Sequence, residues 1–185
     1  MFALRQLAIA LLMVPVSAFA GGLMTDRFDN APETRWRFFA DTVMGGVSTG
    51  DLLFVEEGGR TFARLSGSVS TDNNGGFIQM RRDEITVPET ANGVRLMVRG
   101  NDQPYFVHLR TSGTVLPWQY YQARFNVTEE WREIHLPFMK FDPSGRLLRR
   151  HIKPETIKSI GIVAYGRDHQ ASVDISEVGF YGPDG

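Results

Sequence analysis

Apolar and polar residues alternate in short runs along most of the chain, and no long stretch carries the 3.6-residue period of a helix. The runs cover 23–28, 36–39, 52–55, 62–69, 77–81, 94–99, 105–111, 118–125, 132–138, 160–165 and 172–181. Gly, Pro, Asn or Asp separates them at near-regular spacing, the rhythm of a sandwich or barrel. Residues 140–158 break that rhythm, and Pro154 there suits the first turn of a short helix. The pattern predicts an all-β protein, one β-sandwich domain over residues 21–185.

Residues 1–20 stand apart from the pattern. Arg5 precedes an apolar stretch from Leu7 to Val16, and Ala18-Phe19-Ala20 offers a small-x-small cleavage site. The stretch is shorter than the roughly 20 apolar residues that span a bilayer as a helix. A secretory signal cleaved after Ala20 is expected, giving a periplasmic or secreted protein with no transmembrane segment after its removal. The formal net charge of −1 is too balanced to indicate nucleic acid as a partner. Cysteine is absent, which removes disulfides, thiol catalysis and Cys-ligated zinc from consideration.

Side chains alternate across a strand, so each run divides into two faces. Val94, Leu96 and Val98 oppose Arg95, Met97 and Arg99. Tyr105, Val107 and Leu109 oppose Phe106, His108 and Arg110. Gln119, Tyr121, Ala123 and Phe125 oppose Trp118, Tyr120, Gln122 and Arg124, while Ile78 and Met80 oppose Gln79 and Arg81. Placed in one sheet, these strands gather Arg81, Arg95, Arg99, His108, Arg110, Trp118, Tyr120, Gln122 and Arg124 on one carboxylate-free face. Two readings fit such a face. It is a wet sheet surface whose arginine stems cover apolar area and find carboxylates in loops. Or it is a docking plate for an anionic or hydroxyl-rich ligand, with guanidinium forks and aromatic rings as its tools.

Two glycine pairs punctuate the chain. Asp41, Met44, Gly45, Gly46 and Ser48 form one predicted corner; Asn73, Asn74, Gly75, Gly76 and Phe77 form the other. Asp41 and Ser48 are expected to bond loop backbone amides, and both corners are expected to rim the plate. The four histidines lie in separate segments without a ligand-type spacing, and no nucleophile–base pair is legible, so no catalytic residue and no cofactor is assigned. Asp26, Asp29, Asp174 and Glu177 near the chain ends supply hard oxygen ligands, a weak candidate for a structural calcium. The basic run 146–153 reads either as a loop packing its leucines on the sandwich edge or as a contact for anionic lipid heads or an acidic partner.

Several ordered motifs carry a family resemblance: D-T-V-M-G-G-V-S at 41–48, N-N-G-G-F at 73–77, R-G-N at 99–101, W-Q-Y-Y-Q-A-R-F at 118–125, W-R-E-I-H-L-P-F at 131–138 and S-I-G-I at 159–162. Together they resemble the complex I intermediate-associated protein family over nearly all of residues 21–185. The resemblance implies a galactose-binding-like jelly roll, an architecture shared with many carbohydrate-binding modules. Eukaryotic members are associated with assembly of respiratory complex I in mitochondria, an address different from that of an exported chain. The expected function is a non-catalytic binding or assembly module for a protein partner or a saccharide. The alternative is a carbohydrate-active or other hydrolytic enzyme of the cell envelope.

Overall fold

A computed structural model describes residues 23–183; the expected signal segment lies outside them. Twelve strands follow in chain order: β1 Thr25–Asp26, β2 Trp36–Ala40, β3 Thr49–Glu57, β4 Arg60–Val69, β5 Phe77–Arg82, β6 Gly93–Gly100, β7 Pro104–Thr111, β8 Tyr121–Asn126, β9 Arg132–Pro137, β10 Asp142–Pro143, β11 Ile157–Tyr165 and β12 His169–Tyr181. Sheet A runs β3-β4-β12-β6-β9 with β1 paired to β12, and sheet B runs β10-β8-β7-β11-β5-β2. The pairs are antiparallel. Among the described residues the helical segments are single 3₁₀ turns, one of them at Pro154–Thr156 where a turn was predicted.

The period-two pattern sets what faces inward. Ile78 and Met80 on β5, Val94, Leu96 and Val98 on β6, Tyr105, Val107 and Leu109 on β7, and Tyr121, Ala123 and Phe125 on β8 are all buried between the sheets. Burying each such large side chain contributes about 1.5–3 kcal/mol, the main term holding the layers together. β11 lies in the middle of sheet B and is covered on both sides, so its sequence reads as a nearly continuous apolar run. Phe28 packs against Trp36 and Phe54 and closes the core near β1.

Two predicted strands are shorter than expected. Of 23–28, only Thr25 and Asp26 pair, because the chain turns at Phe28, Asn30 and Ala31, all with positive φ. Trp118 and Gln119 precede β8 in a turn closed by Gln119 N–H to the Leu116 carbonyl at 3.0 Å.

Asp41 fastens two crossovers between the sheets. One, from β2 to β3, contains the first glycine pair; the other, from β4 to β5, contains the second. The buried Asp41 carboxylate accepts bonds from Ser48 N at 3.0 Å, Ser48 Oγ at 2.5 Å, Gly76 N at 2.5 Å and Phe77 N at 3.2 Å. Ser48 Oγ in turn accepts from Ser70 N at 3.0 Å. A Cβ at Gly46 would lie 2.3 Å from the Asp41 carboxyl carbon, and one at Gly75 would lie 2.5 Å from Oδ2. Both glycines are therefore required by a close approach to one buried carboxylate. The expected bonding of Asp41 and Ser48 to loop amides is present.

Candidate functional site

The outward face of sheet B is built in rows across five strands. One row runs Gln122, His108, Gly161, Arg81 and Arg37; the next runs Arg124, Phe106, Val163, Gln79 and Phe39. Tyr165, paired with Phe77, stands at the end of β11 and is 38% exposed. The outward residues of β11, Ser159, Gly161 and Val163, are small or short and lie buried beneath longer side chains from β7 and β5. A Cβ at Gly161 would meet Gln79 Oε1 at 3.2 Å, so the missing side chain is what lets that amide lie over the strand.

Aromatic rings dominate one side of the face. The imidazole of His108 stacks on Tyr120 at 4.0 Å with planes 10° apart, and meets Tyr165 edge-on at 6.0 Å. Phe106 also meets Tyr165 edge-on at 6.0 Å. Burial pushes the Tyr120 phenol upward, and the adjacent Tyr165 hydroxyl adds to the shift. On the other side Arg81 lies over Phe39 at 4.2 Å.

Polar groups here are incompletely used within the protein. His108 Nε2 and Gln122 Oε1 are buried and neither has a well-formed hydrogen-bond partner, although Gln122 is near enough to favour the protonated imidazole slightly. Arg110 donates to the carbonyls of Thr114 at 3.3 Å and Leu116 at 3.1 Å, and its charge is disfavoured by burial and by Arg81. Arg81 pairs with Asp83 at 3.0 Å. Arg110 and Arg124 make no ion pair among the described residues.

Burial lowers the His108 pKa to about 3, from 6.5. The unfolded chain therefore binds a proton in a range where the folded protein does not. The stability His108 contributes is complete above pH 6.5 and falls as the pH drops from there toward 3. His108→Phe keeps the stack on Tyr120, so denaturant titrations of this variant at pH 7 and pH 5 are expected to show a smaller acid loss than the parent.

The predicted plate divides between the sheets. Arg81, His108, Arg110, Gln122 and Arg124 share sheet B, with Tyr120 stacked onto them. Arg95 and Arg99 do not: they stand on β6 in sheet A. Carboxylates neutralise both, Arg99 through Asp174 and Glu57 at 2.9 Å each, and Arg95 through Glu177 and Glu133. The expectation of a carboxylate-free face thus fails for β6, because β12 brings Asp174 and Glu177 alongside it, and for Arg81 on β5, which Asp83 just beyond the strand answers. Trp118 is also displaced, lying 66% exposed in the turn before β8.

The rim residues are partly as expected. Asp41, Gly46, Ser48 and Gly75 serve the internal tie rather than an open rim, whereas Phe77 reaches the sheet B face beside Tyr165. Met44 is exposed on its corner with Gly45, and Asn73 and Asn74 are exposed turn formers with positive φ preceding Gly76. The calcium candidates do not converge. Asp26 is held by Arg35, Arg82 and Trp36, Asp174 by Arg64 and Arg99, and Glu177 by Arg95 and Arg27, while Asp29 is exposed. Among the described residues no three His, Cys, Asp or Glu side chains gather as a metal site.

Phe39, Phe106, Gln79 and Tyr165 complete the face and were absent from the predicted site. Phe106 and Gln79 already stood on the outward side by alternation, and Tyr165 shares its side of β11 with Gly161 and Val163.

Solved structures of similar shape include carbohydrate-binding modules. The family 11 carbohydrate-binding module from Clostridium thermocellum in complex with a β-1,3-1,4-mixed-linked tetrasaccharide has a TM-score of 0.68 at 12% identity, with 86% of this chain and 94% of that chain covered. The family 11 module of a cellulosomal cellulase of the same organism gives 0.69 at 13%, covering 87% and 95%. A family 30 module of a cellulosomal cellulase of Clostridium thermocellum gives 0.54 at 12%, covering 76% and 92%. At these identities the likeness establishes the jelly-roll fold. No curated protein matches the sequence. The family model for Complex I intermediate-associated protein 30 (CIA30) matches residues 27–175, and the chain belongs to that family.

Proposed function

We propose that this protein is an exported, non-catalytic saccharide-binding module that acts in the periplasm or outside the cell. The ligand lies across the outward face of sheet B. The observation that carries the reading is the combination on one face of rings at Tyr120, His108, Phe106 and Tyr165 with Arg110 and Arg124, which make no ion pair among the described residues. Sugar rings offer apolar C–H faces to aromatic planes and hydroxyls to guanidinium forks. Arg110 and Arg124, free of carboxylates, favour a saccharide bearing carboxylate or sulfate groups. A fold neighbour bound to a tetrasaccharide adds support of a general kind.

Thermal-shift screening against neutral and acidic glycans tests this, since a ligand that binds only the folded state raises the melting temperature with concentration. An acidic oligosaccharide is expected to stabilise the protein, and Tyr165→Ala or Arg124→Ala to weaken its binding roughly tenfold. Failure of all glycans to bind would remove the proposal. A protein partner would then remain, seated on the corner where Val43, Met44 and Val47 are exposed.

A further inference from the structure

We propose a second interaction surface, at the loop end formed by residues 111–119 and 139–153, which docks the protein on a bilayer carrying anionic phospholipid. Four large apolar side chains stand out there: Leu147 is 87% exposed, Met139 84%, Val115 82% and Trp118 66%. Around them lie Arg146, Arg149, Arg150 and Lys153, which make no ion pair among the described residues. Apolar tips ringed by unpaired cations match the chemistry of a membrane interface, with acyl carbon below and phosphate above. Tryptophan is the residue most at home at that boundary.

Leu147 gives the sharpest argument. In the run 146–153 the fold has room for apolar side chains on its inner side: Ile152 is buried and Leu148 packs against the core. Leu147 is nevertheless turned out between arginines. That placement sets an apolar tip at the mouth of a recess lined by Arg149 and Lys153, the pairing of apolar and cationic groups that an interface accepts.

The surface is braced. Ser144 Oγ donates to the Trp118 carbonyl at 3.0 Å and accepts from Tyr120 N at 2.9 Å, joining the two loops. Tyr121 OH donates to the Arg149 carbonyl at 2.9 Å, and Ser112 N to the Thr156 carbonyl at 2.8 Å. Arg110 holds the Thr114 and Leu116 carbonyls from the sheet side. Such preorganisation reduces the ordering cost of docking. Between the loops lies a recess of about 270 Å³ lined by Ser112, Gly113, Tyr121, Arg149, His151 and Lys153, which fits a phosphate headgroup.

Flotation with two vesicle types tests the proposal: phosphatidylcholine alone, and phosphatidylcholine mixed with phosphatidylglycerol. The full folded protein is expected to float only with the mixed vesicles, to shift its tryptophan emission to the blue, and to be released by added salt. Trp118→Phe should abolish the shift, which assigns it to Trp118 rather than to Trp36 or Trp131. Each cation near the surface strengthens partition about fivefold, so Arg149→Glu with Arg150→Glu should weaken binding by at least about 20-fold. Leu147→Asp, at an exposed position where folding is unaffected, should weaken it about tenfold. Tyr165→Ala, at the opposite end of β11 from the Thr111 pairing, should leave vesicle binding unchanged, so this surface and the saccharide reading fail independently. Absence of binding to the mixed vesicles, equal binding to neutral ones, or insensitivity to the Leu147 and arginine substitutions would overturn the proposal. So would retention of polyglutamate without vesicle binding, which points to an acidic protein partner.

Discussion

Replacing Asp26 with alanine is expected to destabilise the protein by about 3–5 kcal/mol, because it strands two guanidinium groups and an indole N–H around a buried site. Asp26 accepts from Arg82 Nη1 at 2.6 Å, Arg35 Nε at 3.1 Å and Nη2 at 3.0 Å, Trp36 Nε1 at 3.0 Å and Phe28 N at 2.9 Å. It joins β1 in sheet A to β2 and β5 in sheet B, so its loss loosens both layers. Burial alone would raise its pKa, but the bonds from Arg35, Trp36 and Phe28 outweigh burial and hold it below 3.8. A depressed folded pKa stabilises the protein above the unfolded value, and that share is lost as the pH falls from about 4 through the folded pKa. Urea titration of the alanine variant checks the size, and its acid unfolding should lack this component. A loss under about 1 kcal/mol would mean that Arg35 and Arg82 satisfy themselves with water, and the hub would be incidental.

The arginines of the two sheets do different physical work. On sheet A, Arg64, Arg95 and Arg99 are answered by Asp174, Glu177 and Glu57, and their pairing belongs to folding. Arg64 and Asp174 form a two-pronged pair at 2.7 and 2.8 Å. On sheet B, Arg37 and Arg81 share Asp83, Arg110 leans on carbonyls, and Arg124 makes no ion pair among the described residues.

The sandwich was legible because its signal is local. Alternation along 94–98 or 105–109 assigns inside and outside from neighbouring residues alone, and the structure buries the residues so assigned. Which sheet a strand joins is not local. β6 follows β5 in sequence yet crosses to sheet A, while β7 and β8 return to sheet B, so Arg95 and Arg99 part from Arg81 and Arg110. Ion partners were hidden for the same reason, Arg64 and Asp174 being 110 positions apart. Tyr165 was missed because β11 is covered on both faces and its apolar run conceals the alternation. The paired glycines, by contrast, announced their corners, since such pairs mark positive φ or close backbone approach: Gly45 and Gly76 have positive φ, and Gly46 and Gly75 approach the Asp41 carboxylate.

Asp41→Ala is expected to cost a similar 3–5 kcal/mol and to act on the ligand face as well as on stability. Removing the carboxylate leaves the backbone N–H groups of Ser48, Gly76 and Phe77 without their acceptor in a buried place. Each unsatisfied group costs about 1–3 kcal/mol, reduced to the extent that water reaches it. Asp41→Asn should recover little. Its amide keeps the shape but places NH₂ against either Ser48 N–H or the N–H groups of Gly76 and Phe77, a donor facing a donor. Gly46→Ala and Gly75→Ala drive a methyl into the same carboxylate and should reproduce the defect in milder form. Phe77 follows directly from this tie and pairs with Tyr165, so loosening Asp41 also releases one end of the sheet B face. Hydrogen exchange offers the separating measurement. Exchange at Ser48, Gly76 and Phe77 in Asp41→Asn that rises by more than the general increase the lower global stability gives the amides of β6 and β12 would establish Asp41 as the joint between crossovers. Wild-type stability and protection in Asp41→Asn would show that the glycines, and not the charge, hold the corner.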